Sequence, residues 1–178
     1  MSEKKLVVDQ TKFVYEGLFD LNGFYRLVDH FFYEKNWDRY EKMNQEIVTP
    51  TGKHIRMELW PWKNITDYYR THIKIRMNFV DVIKVEVEKD GAKIKLDKGK
   101  VNIIFDCYVE SDRYQRWENS PFLWFIRTIL DRYVFKEHYL KIQSWLLSDF
   151  EELHTRVKSF FNVYRYYERA QFRVAAEP

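Results

Sequence analysis

The stretch Tyr69-Arg70-Thr71-His72-Ile73-Lys74-Ile75-Arg76-Met77-Asn78-Phe79 alternates without a break. Successive side chains of a strand point to opposite faces. Tyr69, Thr71, Ile73, Ile75, Met77 and Phe79 therefore share one face, and Arg70, His72, Lys74, Arg76 and Asn78 the other. One face apolar and one charged is the pattern of an antiparallel sheet packed on one side and wet on the other.

The same period recurs on both sides of this stretch. Towards the N-terminus, His54–Trp60 places Ile55, Met57 and Leu59 on one face, after a turn at Pro50-Thr51-Gly52 that follows Tyr40–Thr49. Met43, Gln45 and Ile47 are expected inward in that strand. Towards the C-terminus, Lys84–Glu88, a turn at Asp90-Gly91, Lys93–Leu96 and a second turn at Lys98-Gly99 lead into Val101–Val109. There Val101, Ile103, Phe105, Cys107 and Val109 share a face. Ahead of the meander, Lys12–Phe19 reads as a strand. A helix follows from an Asp20 or Asn22 cap to about Asn36, with Leu21, Phe24, Leu27, Val28, Phe31 and Phe32 at helical spacing. After a polar stretch, Ser120-Pro121 opens a helical pattern of about 45 residues with a break near Phe135–His138. Its second half carries a seam of Leu146, Phe150, Leu153, Val157, Phe160 and Tyr164.

The fold class expected is α+β: an antiparallel sheet of about six to seven strands packed on a long C-terminal helical segment, with one helix after the first strand. With no Ser/Gly/Pro-rich linker and no repeat, residues 1–168 form a single domain and 169–178 a flexible tail. At 178 residues and 46% hydrophobic the chain can bury a core, and disorder is excluded. Aromatics make up 19%, so rings fill much of that core. A net charge of +3 is too small to signal nucleic acid on its own. A lone cysteine excludes disulfides and thiolate zinc sites within the chain, no apolar run has the length of a membrane span, and the expected location is the cytoplasm.

The order strand, helix, antiparallel meander, long C-terminal helix over about residues 12–168 resembles the helix-grip fold of the START and birch-pollen-allergen-like superfamily, which includes polyketide cyclases. The resemblance implies a sheet curved around the last helix and a cavity for a hydrophobic small molecule. Its walls would be Met57, Leu59, Tyr69, Ile73, Ile75, Met77, Phe105 and Cys107 from the sheet, with Leu146, Phe150 and Leu153 from the helix.

Catalytic signals are lacking. Glu151 and His154 have the spacing of half a di-iron motif, but no second Glu-x-x-His exists, and a solvated helix face explains them better. His138 and His154 stand about 24 Å apart on a continuous helix and cannot share an ion. Cys107 falls on the buried face of its strand, where a thiol is inert. There is no nucleophile elbow, phosphate loop or dinucleotide fingerprint. No catalytic residue, metal or cofactor is expected.

Two readings of function remain. In the first, a non-enzymatic module binds a hydrophobic small molecule, through Met57, Leu59, Tyr69, Ile73, Ile75, Met77, Phe105 and Phe150, or a protein partner, a second copy included. In the second, the outer sheet face binds RNA: Arg56, Arg70, Lys74 and Arg76 contact phosphates while His72, Trp60 or Trp62 stack on bases. Against the second, Glu58, Glu86 and Glu88 on adjacent strands are placed to neutralise the ladder. Trp60-Pro61-Trp62 suits either a cover for the end of the core or an exposed ligand mouth.

Overall fold

The alternation of Tyr69–Phe79 becomes the centre of an antiparallel sheet. The computed structural model describes residues 3–89, 92–111, 125 and 136–174. The elements are β1 (Glu3–Phe19), α1 (Leu21–Glu34), β2 (Glu41–Thr49), β3 (Gly52–Leu59), β4 (Trp62–Asn64), β5 (Tyr69–Lys89), β6 (Ala92–Ser111) and α2 (Lys136–Val174). Among the described residues the strands make one six-stranded sheet in the order β1-β6-β5-β3-β2, and β4 pairs with β5 beyond the end of β3. The fold is α+β, with one helix after the first strand and the C-terminal helix packed on the sheet. The first part of the expected helical pattern, from Pro121 to the break near Phe135, lies outside the described residues except for residue 125, and so does the Asp90-Gly91 turn.

The odd-numbered residues of 55–57, 69–79 and 101–109 point into the core on which α2 packs. Ile55, Met57, Ile73, Ile75, Met77, Phe79, Val101, Ile103, Phe105, Cys107 and Val109 are all buried. On α2, Ile142, Leu146, Phe150, Leu153, Val157 and Phe161 form the matching seam, three to four residues apart as a helix face requires. Phe161 rests between Phe13, Tyr15 and Phe24, with ring centroids at 5.2, 4.9 and 5.3 Å. Each such side chain contributes about 1.5–3 kcal/mol by leaving water. α1 adds Phe24, Val28, Phe31 and Phe32 to the same core. Its first amide, on Leu21, donates to Asp97 Oδ2 of β6 at 3.2 Å, which serves an otherwise orphaned helix N–H. Trp37 Nε1 donates to Asp149 at 3.1 Å, and Arg156 bonds Glu34 at 2.7 Å, so α1 and its exit are fastened to α2.

Three local expectations change. Lys98-Gly99 is not a turn: β6 passes straight through it. A Cβ on Gly99 would meet Val80 O at 2.9 Å, so the glycine permits close approach of two strands where β5 bulges between Val80 and Ile83, with Asp81 at φ 54°. β1 begins at Glu3 instead of Lys12, and it holds its register on β6 through shifts between Leu6 and Thr11. Met43, Gln45 and Ile47 point outward. A bulge between Glu41 and Met43 inserts one residue, so Gln45 pairs with outward Arg56 and the parity of the strand flips.

Candidate functional site

The proposed cavity residues come together in the core. Tyr69, Ile73, Ile75, Met77 and Phe105 belong to one cluster with Met57 and Phe150, and Leu59 packs half-buried against it. Ile73, Ile75, Met77 and Phe105 expose at most 1% of their surface. Side chains facing a water-sized or larger void would leave surface bare to it, so neighbouring atoms cover these four. Cys107 lies in the same layer, fully buried, and burial first, then the Asp106 charge, pushes its thiol far above the usual range. It is no nucleophile.

The outer face is held by ion pairs running across the strands. Arg70 lays its guanidinium 4.1 Å from the Trp62 ring centroid and donates Nε–H to Asn64 Oδ1 at 2.8 Å. His72 Nε2 lies 2.6 Å from Glu110 Oε2. Burial keeps this imidazole below its ordinary pKa, outweighing the pull of Glu110. Lys74 and Lys42 converge on the same oxygen, Glu58 Oε1, at 3.2 and 3.3 Å. Burial raises the Glu58 carboxyl, and hydrogen bonds from the two lysines more than reverse that, leaving it below its usual value. Arg76 Nη2 donates to Asp106 Oδ2 at 2.7 Å, whose other oxygen accepts the Gln10 amide at 2.9 Å. Arg56 is exposed, on the rung between Gln45 and Asn78.

So the ladder meets carboxylates, though mostly not the expected ones. Glu58 is one of them, Glu86 pairs instead with Lys95 at 3.7 Å, and the side chain of Glu88 lies outside the described residues. Asp106 and Glu110, which the sequence reading passed over, supply the rest. Both are even-numbered on β6, and they face the ladder only through the register that pairs Ile75 with Phe105. Trp60 and Trp62 are half-buried on this outer face, with cations on their rings. His154 was also misread as solvated. It is partly buried, stacked on Phe150 at 5.6 Å, and its Nε2 is buried without a partner. Among the described residues no group of His, Cys, Asp or Glu is arranged to hold a metal, and no helix is long and apolar enough to cross a membrane.

The sheet also has a bare edge. β2 is exposed along nearly its whole length and, among the described residues, pairs only with β3. Ile47 and Val48 are 60% and 73% exposed, on opposite faces of the strand, and Tyr40 just ahead of it is 55% exposed. Beside Tyr40, an open groove of about 470 Å³ runs between α1 and the start of β2. It combines apolar Phe32, Leu59 and Pro61 with charged Asp29, Arg39 and Glu41.

No protein-family model, no curated protein and no solved structure matches this chain.

Proposed function

We propose that this chain is a non-enzymatic, cytoplasmic module of the helix-grip kind that binds a protein partner by strand addition to β2. The observation that carries the proposal is the edge itself: a nine-residue strand that, among the described residues, pairs on one side only and has apolar side chains bare on both faces. Such an edge is a template for an incoming strand, and folds that do not use it shorten it, cover it or fill it with charge. The groove beside Tyr40 adds the second element of strand recognition, a pocket for one side chain of the incoming segment. Its surface is more polar than apolar, with Arg39 and Asp29 paired at 2.7 Å, which suits a polar or amphipathic side chain. The sealed sheet centre weighs against a small hydrophobe in the interior, and the paired ladder weighs against RNA.

Native mass spectrometry of the freshly purified full chain identifies the bound species or a second copy. Hydrogen exchange on that complex then locates it. The proposal expects added protection over Glu41–Thr49 and its loss in an Ile47→Lys/Val48→Lys variant that melts like the parent. A monomer carrying a co-purified hydrophobe, co-purified RNA, or protection confined to other strands overturns it.

A further inference from the structure

Three ammonium groups from three strands surround one indole. Lys42 of β2, Lys74 of β5 and Lys4 of β1 lie 4.7, 5.1 and 5.5 Å from the ring centroid of Trp60. Lys42 and Lys74 share one carboxylate oxygen, Glu58 Oε1, and Glu110, opposite Lys4 on β6, is engaged by His72. Lys4 has no carboxylate within ion-pairing distance among the described residues. Among the described residues Trp60 Nε1 and Arg76 Nε are buried donors without an acceptor, although Arg76 Nη2 is paired with Asp106. Donors outnumber acceptors here, and like charges about 6–10 Å apart repel by roughly 0.4–0.7 kcal/mol per pair even in water, more beside a protein surface. A ligand that relieves both defects is an anion with several acceptor oxygens.

We propose that Lys4, Lys42 and Lys74 form an oxyanion site over Trp60 whose ligand is a phosphate group. A phosphate brings close to two negative charges and three or more acceptor oxygens, enough to bridge ammoniums that one carboxylate oxygen cannot satisfy. Lysines act on it as point charges, without the planar fork that would select a carboxylate. The source of the phosphate is a soluble phosphoester or a lipid headgroup. A nucleic-acid strand is disfavoured because Trp60 and Trp62 already carry cations on their rings, leaving no bare ring on which a base would stack. The site is separate from the exposed apolar stretch of the β2 edge, and the Ile47→Lys/Val48→Lys variant should retain it.

The test uses the full chain. Inorganic pyrophosphate is titrated against sodium chloride at equal ionic strength while Tm and tryptophan emission are followed. Vesicles of phosphatidylcholine with and without phosphatidic acid are sedimented in parallel. The expected result is a pyrophosphate-specific rise in Tm. In Lys4→Gln/Lys42→Gln, whose altered side chains are exposed, affinity should drop at least about tenfold with the unliganded Tm unchanged. The exposed pair Lys84→Gln/Lys95→Gln, far along the β5–β6 ribbon, should bind as the parent does. Binding to pyrophosphate alone assigns a soluble phosphoester, and added sedimentation with phosphatidic acid assigns a headgroup. The proposal is overturned if pyrophosphate does no more than chloride and phosphatidic acid draws no protein down. Equal losses in both lysine pairs, or base-dependent binding of single-stranded RNA that outcompetes pyrophosphate, overturn it too.

Discussion

The two faces of the central sheet come from the same residues taken alternately, yet they are held by different physics. On the inner face Ile73, Ile75 and Met77 are sealed by α2 and by each other. One residue along, His72, Lys74 and Arg76 keep 13, 20 and 39% of their side chains in water and are each tied to a carboxylate on a neighbouring strand. Burial is non-directional, so the inner face tolerates any apolar shape that fills the volume. Ion pairs across strands are directional, and here each one runs diagonally to a residue two places from the facing one. The inner face therefore sets stability and register, while the outer face adds directional pairing between strands. The proposed partner and anion sites both lie on the outer face or the edge.

Substitution on each face measures how far that division holds. Phe105 lies under α2 with its ring 5.8 Å from that of Phe150, and Phe105→Ala should cost about 3–5 kcal/mol in urea or guanidinium unfolding. Lys74→Ala, one rung away on the outer face, should cost at most about 1 kcal/mol. Equal costs would break the comparison. Asp106 sharpens it, because it is an outer-face group whose side chain is only 4% exposed. Its two oxygens accept from Gln10 and Arg76, so Asp106→Ala strands two donors at the β1 bulge and should cost about 2–3 kcal/mol. A loss below 1 kcal/mol would show that water replaces the carboxylate and that the bulge does not depend on it.

The inner face was legible because period-two alternation survives in every residue from 69 to 79 and from 101 to 109, and burial demands nothing else. What the sequence hid are the places where one residue is added or where two backbones touch. The bulge after Glu41 reverses the faces of Met43, Gln45 and Ile47 without any turn residue to announce it. Gly99 looks like a turn beside Lys98, but its role is proximity, which depends on a strand paired across the sheet. Gly99→Ala tests that reading: a Cβ at 2.9 Å from Val80 O and 3.2 Å from Val82 must push the bulge aside, at about 1–2 kcal/mol. If Gly99 were a solvent-facing turn glycine with ordinary φ, the substitution would be neutral or stabilising. The acids of the outer face were hidden for a related reason. Asp106 and Glu110 become partners of Arg76 and His72 only once the β5–β6 register is known.

The smallest effect expected is a pH dependence, and it reports on the same two faces together. His72 on the outer face and His154 at the edge of the core both have pKa values lowered by burial, with Glu110 opposing the shift at His72 and Lys158 adding to it at His154. The unfolded chain takes up a proton at each near pH 6.5, while the folded protein resists until lower pH. The stability these groups contribute is therefore complete above about 6.5 and is lost as pH falls through their folded values. A second loss follows at more acid pH, where Glu58 and Asp81, held below their usual values in the fold, are protonated in turn. Urea midpoints measured from pH 7.5 downward should thus fall in two steps. His72→Gln/His154→Gln should flatten the upper step and leave the lower one. A midpoint that stays level or rises between pH 6.5 and 5 in the parent chain would mean that Glu110 outweighs burial at His72, making that pair a charged bridge and not a neutral hydrogen bond.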